Sequence, residues 1–166
     1  MRHREVVKQS FISVLADQVN MTHPADSPDW VEVTDEPSQT RKAIEVGEPV
    51  GVMSPVKGNG NRRVFEDDFD IECQIVIRDY GLTASEARML AADLMQTVID
   101  IVSVVERVKP VHQDAFDPDN TGQLISIGLG DMAGPTSVPD PDGQGSIAFF
   151  DFDVPCVYRT SSGAKP

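Results

Sequence analysis

Three acids stand among the first four residues of the stretch DDFDIECQIVIRDYGLTASEA, positions 67–87, and Glu66 comes just before them. Carboxylates at this density are the raw material of general acid–base catalysis. That chemistry needs two of them in different environments, so that their proton affinities diverge. Here Asp70 and Glu72 alternate with Phe69, Ile71 and Cys73, which puts both acids on one polar side and both in water. The run Glu66, Asp67, Asp68, Asp70, Glu72 therefore reads as the solvated face of a strand. A contact with a partner is its second use, and a catalytic or metal-binding pair the third.

Other candidates are weaker. DPDNTG (117–122) has the opening of a calcium loop in Asp117, Asp119 and Gly122, but the twelve-residue pattern would place its bidentate acid at position 128, which is Gly128. PDPDG (139–143) is a second acidic turn without further ligands. His3, His23 and His112 are scattered, with no nucleophile elbow and no HExxH. GNGN and GLGDMAG lack the strand-turn-helix setting that cradles phosphate. Cys73 and Cys156 each fall on the apolar register of a strand. They read as core residues of a protein kept reduced, with a disulfide or a reactive thiol as the alternatives. No enzymatic activity, cofactor or metal is expected.

The elements that carry these residues are easier to read. REVVKQSFISVLADQV (4–19) sets Val7, Phe11, Val14 and Leu15 at helical offsets. Pro24 and Pro28 stop that helix, and Trp30 to Val33 has the texture of a short strand. From Thr40 the chain is extended but interrupted by Gly47, Pro49, Gly51 and Pro55, as an edge strand would be. KGNGNRR (57–63) supplies a hairpin tip. A long strand then returns from about Arg63 to Arg78, with Phe69, Ile71, Cys73, Ile75 and Ile77 on one side and Asp70, Glu72, Gln74 and Arg78 on the other. Thr83 and Glu86 form a capping box for a helix over about 84–106, whose apolar stripe runs from Ala87 to Val105. A strand at 123–130, a long loop at 131–145 and a last strand at 146–159 follow. That last strand has Phe150, Phe152, Val154, Cys156 and Tyr158 opposite Asp151 and Asp153.

The expected fold is α+β: a four-stranded, mostly antiparallel sheet packed on two helices in the order α-β-β-α-β-β. Residues 1–160 form a single domain with a long β-hairpin arm at about 40–63, and 161–166 form a mobile C-terminal tail. With 166 residues, 40% hydrophobic and 25% charged, the chain has the composition of a globular domain. No stretch approaches the roughly 20 apolar residues of a membrane helix, so no membrane role is expected. The basic N-terminus is not followed by the apolar core of a secretory signal. The net charge of -13, from 14 Lys and Arg against 27 Asp and Glu, excludes a general nucleic-acid-binding surface. The local basic cluster is Lys57, Arg62 and Arg63. An acidic wall still suits a conduit through which DNA must pass without sticking.

In outline the sequence resembles the tail terminator (tail-completion) proteins of long-tailed bacteriophages with non-contractile tails. The residues that carry the resemblance are the opening helix REVVKQSFISVLADQV, the return strand FDIECQIVIRDYG running straight into TASEARMLAADLMQTVIDIV, and the closing strands GQLISIGLG and IAFFDFDVPCVYR. It rests on element order and texture, and related neck proteins use overlapping designs. The resemblance implies a structural virion protein made in the host cytoplasm: a homo-oligomer, a hexameric ring, that caps the tail tube and stops its polymerisation. It also implies contacts with the tail tube protein and with the head-tail connector or neck proteins, and DNA passing through without sequence-specific binding. In such a ring Lys57, Asn59, Arg62 and Arg63 of the arm, with Asp131 and Met132 of the long loop, are candidate subunit or tube contacts, the plain alternative being surface loops. Asp70, Glu72, Asp151 and Asp153 are candidate lumen-facing acids. The other readings are another neck component, or a small non-catalytic adaptor or ligand-binding domain.

Overall fold

The computed structural model describes residues 2–56, 63–78, 81–107, 122–143 and 145–162. Two helices, α1 (Arg2–Val19) and α2 (Ala84–Arg107), lie against a sheet of six strands. The strands are β1 (Glu32–Thr34), β2 (Lys42–Val56), β3 (Arg63–Ile77), β4 (Gln123–Ile127), β5 (Met132–Pro139) and β6 (Ser146–Ser162). Their order is β1-β2-β3-β6-β4, with β5 also paired to β6.

The α+β class and the two helices agree with the sequence reading, but the four-stranded count and the α-β-β-α-β-β order do not. The structure adds two strands to that order, β1 and β5. β1 pairs parallel with β2, Val33 opposite Ile44, which makes the sheet mixed. Residues 35–41 are a short connection for a parallel crossover, and side chains hold it closed. The buried Ser38 donates its hydroxyl to Glu32 Oε2 at 2.6 Å, and its amide donates to Glu45 Oε1 at 3.0 Å. β5 occupies most of the segment expected to be a long loop, pairing antiparallel with one end of β6 while β4 takes the other end of the same edge.

The core forms where periodicity meets periodicity. Phe69, Ile71, Cys73, Ile75 and Ile77 of β3 lie on one sheet face with Phe152, Val154, Cys156 and Tyr158 of β6. Val7, Phe11, Leu15 and Val19 of α1 and Ala87, Ala91, Leu94, Met95, Val98 and Val102 of α2 close over that face. Both helices thus cover the same side of the sheet. The cap of α2 is reciprocal, as its Thr-x-x-Glu spacing requires: Glu86 N donates to Thr83 Oγ1 at 3.2 Å, and Thr83 N to Glu86 Oε2 at 2.9 Å. The end of α1 is secured by Asn20, which is buried and exchanges two hydrogen bonds with the backbone of Val31 at 2.7 and 2.8 Å. One side chain there stands in for a strand partner.

The expected hairpin arm is a three-stranded ribbon. β2 and β3 pair out to Val56 and Val64, and β6 continues beside β3 until Arg63 faces Ser162. The tail expected from 161 is therefore still strand through Ser162. The outer edge of β2 beyond Val46 has no strand beside it among the described residues. Pro49 and Pro55 share one parity on this strand, so the two missing donors fall on the same edge. Gly51 faces Phe69, and a Cβ there would lie 2.1 Å from the Asp68 carbonyl oxygen, so only glycine permits the strands to approach this closely.

Candidate functional site

The two faces of β3 differ in chemistry, and the residues singled out from the sequence separate accordingly. On the open face, Glu72 stands directly opposite Asp153 of β6, Gln74 opposite Asp151, and Asp70 opposite Pro155. The four candidate lumen acids are thus brought together on one surface. Like charges facing each other across strands destabilise a sheet. Asp153 registers this: partial burial first, and then the charges of Asp70, Glu72, Asp131 and Asp151, push its carboxyl above the usual range. The amide of Gln74 donates to Asp151 Oδ1 at 2.7 Å and relieves part of the repulsion. Beside these residues a shallow trough of about 540 Å³ is walled by the carboxylates of Asp35, Glu36, Glu45, Glu72, Asp151 and Asp153.

Further along the same face the acids give way to valines. Val50 and Val52 of β2, beside Asp70 and Asp68, are 66% and 69% exposed. Arg159 also projects here, but Glu66 already engages it at 2.8 Å. Arg63 ends the ribbon as an exposed residue, while Lys57, Asn59 and Arg62 lie outside the described residues. Asp131 is exposed, and its carbonyl accepts a hydrogen bond from Asp153 N at 3.0 Å. Met132 opens β5 opposite Phe152 and is about half exposed.

The covered face holds a polar cluster built on Asp67, which is buried and not on the solvated face expected for the acidic run. Asp67 shares the parity of Phe69 and Ile71 and is fully buried. Its carboxylate accepts from Arg4 Nε at 2.7 Å, from Arg4 Nη2 at 2.5 Å and from His3 Nε2 at 2.5 Å. The His3 ring stacks on Tyr158 with centroids 4.6 Å apart, and the Arg4 guanidinium lies over Phe69. Burial alone would raise the Asp67 carboxyl, but the hydrogen bonds from Arg4 and His3 outweigh it and hold the group below its ordinary value. A second cluster surrounds Lys8, which is buried with its ammonium 3.1 Å from Glu48, 3.2 Å from Glu5 and 3.4 Å from Asp35. Desolvation lowers that ammonium, while Glu48, Glu5 and Asp35 raise it by more.

Both clusters pin α1 to the sheet, His3 and Arg4 through Asp67 of β3 and Lys8 through Glu48 of β2. Cys73 and Cys156 are buried thiols pushed up by desolvation, the environment of inert core cysteines. Among the described residues no group of three or more His, Cys, Asp or Glu side chains is arranged to hold a metal ion. Of the calcium-like segment 117–122 only Gly122 is described, and His112 also falls outside the described residues. No described helix is long and apolar enough to cross a membrane. What the arrangement offers is a surface: a negative field at the base of the open face and exposed valines beside it. No family model matches the chain, and no curated protein matches its sequence.

Proposed function

We propose that this chain is a structural virion protein of the tail terminator kind, one subunit of a ring, six-fold in this reading. The ring would cap a phage tail tube, halt its polymerisation and present the docking surface for the head-tail connector. The observation that supports the reading most is that one subunit carries two unlike surfaces: an acidic stretch of open sheet face around Glu72 and Asp153, and farther along the exposed apolar Val50 and Val52. Surfaces of different kind pair head to tail, and head-to-tail contacts close into rings when the rotation permits. Two placements of the acidic face suit such a ring. On the channel wall, Asp70, Glu72, Asp151 and Asp153 would repel passing DNA; at the subunit boundary they would receive a neighbour.

The alternatives within the same geometry are another neck component, or a small adaptor acting as a monomer. The test is the mass distribution of the purified chain at high concentration, alone and with isolated tail tubes, with electron micrographs of any large species. A six-subunit ring with a central hole, free or on a tube end, is the expected result. A monomer under both conditions would leave the adaptor reading.

A further inference from the structure

The open face of the ribbon repeats one unit. Val50 of β2 stands directly opposite Asp70 of β3, and Val52 directly opposite Asp68. Each unit is an apolar side chain beside a carboxylate, and the second follows the first two residues along. Both valines are largely exposed. Asp68, Asp70 and Glu72 are exposed as well, and Glu72 opens onto the acid-walled trough. Among the described residues no cation lies within ion-pair distance of these three acids. The row ends on one side at Glu66, which Arg159 engages at 2.8 Å. On the other side it ends at Gln74, whose amide is given to Asp151.

A lysine or arginine side chain has the matching build, an apolar stem that packs on hydrophobic surface and a charged head. Laid across β2 toward β3, the stem covers a valine and the head reaches the aspartate beside it. Successive acids of the row are about 6.6 Å apart, at about 3.3 Å of rise per residue. Side chains on one side of any extended chain recur at that same interval. A channel wall for DNA would account for the acids but not for the valines, which gain nothing from facing water. Strand addition at the outer edge of β2 is discouraged by Pro49 and Pro55, so contact is left to the face.

We propose that this face binds an extended segment of another protein that carries Lys or Arg at every second position. The stems lie over Val50 and Val52, and the heads meet Asp68, Asp70 and Glu72. The segment is not the chain's own, because nowhere in its sequence do three Lys or Arg residues stand at alternate positions. In a ring, the face would belong to the docking surface. The inference concerns the surface of one copy, however, and does not need the ring to close.

The experiment is binding of synthetic peptides to the full chain, followed by fluorescence anisotropy over a range of salt. One peptide alternates Lys and Thr, and the other has the same residues with its lysines in one block. The alternating peptide is expected to bind more tightly, by on the order of tenfold, and to weaken as salt rises. Asp68→Asn with Asp70→Asn should weaken it by a similar factor. Val50→Thr with Val52→Thr keeps the branched side chains that strands favour and should weaken binding several-fold while leaving its salt dependence. Asp17→Asn with Asp93→Asn removes the same charge from the two helices, on the covered side of the sheet, and should change nothing. All these positions are exposed, so the variants should fold, and thermal melts check them.

Equal binding of the two peptides, or an equal loss from the helix pair, would mean attraction to a chain of net charge -13 and would overturn the site. No binding at all would overturn it too. Self-association of the chain that is lost in Asp68→Asn with Asp70→Asn would put a second copy on the face, which also overturns it. None of these outcomes touches the ring reading, which the mass of the assembly decides.

Discussion

Arg4 grips Asp67 with both arms of its guanidinium, Nε to Oδ2 at 2.7 Å and Nη2 to Oδ1 at 2.5 Å. The pair joins the first turn of α1 to the middle of β3 across 63 positions of sequence. The carboxylate also sits near the positive end of the helix dipole, which favours its charge.

Replacing Asp67 by Asn leaves the shape and removes the charge. The partly exposed Arg4 can turn to water, so the cost should be about 2–3 kcal/mol near neutral pH, below the full penalty for breaking a buried pair. Because the folded carboxyl titrates below its unfolded value of about 3.9, its contribution is in place above that value and is lost as pH falls through the folded one. Melting curves from pH 7 to pH 2 should show the wild type losing its advantage over Asp67→Asn below about pH 4. A gap that stayed constant over that range would mean the ion pair is not what stabilises the site.

Lys8 is buried, but Glu5 and Glu48, which hold it, are 50% and 77% exposed. Lys8→Met should therefore cost roughly 1 kcal/mol or less, because those carboxylates return to water. Lys8→Glu adds a like charge to the cluster and should unfold far more readily. The folded ammonium titrates above its unfolded value, so its contribution is present below about pH 10.4 and is lost as pH rises through the folded value. Urea titrations of the two variants compare them directly, and equal losses would contradict the assignment.

Asn20 satisfies both the amide and the carbonyl of Val31 from one side chain. Asn20→Ala leaves two buried backbone groups without that partner, at roughly 1–3 kcal/mol each at most. Faster hydrogen exchange at Val31 and in β1 would accompany the lower stability, and unchanged exchange there would contradict the bridge.

Gly51→Ala puts a methyl group into the backbone at Asp68 and Phe69, so β2 must separate from β3. The ribbon should open locally while α2 and its sheet contacts keep their protection. Hydrogen exchange resolved by residue would show that split, and uniform deprotection would instead mean the ribbon and the core unfold together.

How far the sequence reached depended on whether an element had one wet side and one dry side. β3 does, and its alternation located the strand and its core residues, including Ile71 and Ile75. α2 does too, and its stripe placed Leu94 and Val98 correctly in the core. β5 has no buried face: its residues are exposed or half-buried throughout, and Gly134, Pro135 and Pro139 give the texture of a loop. It is a strand because β6 presents an edge to it, and no local pattern records that. Asp67 departs from its sequence pattern for a different reason. Its parity with Phe69 is visible, but the run of acids around it suggests water, and the partners that make its burial tolerable, His3 and Arg4, lie more than sixty positions earlier in the sequence. Arg4 and Lys8 had a signal too, since they share a four-then-three spacing with Phe11 on the stripe of α1. Charge on an apolar stripe was the clue to a buried pair.

β6 is bordered along its length by β3 on one side and by β4 and β5 in turn on the other. It is also the last of the described strands in sequence. While a ribosome is still making it, β4 and β5 lack the strand they pair with, and β3 shows an open edge. The sheet is thus completed late and by contacts distant in sequence, the condition for slow folding. The time between synthesis of β3 and arrival of β6 is when nascent chains are most exposed to sticking to one another.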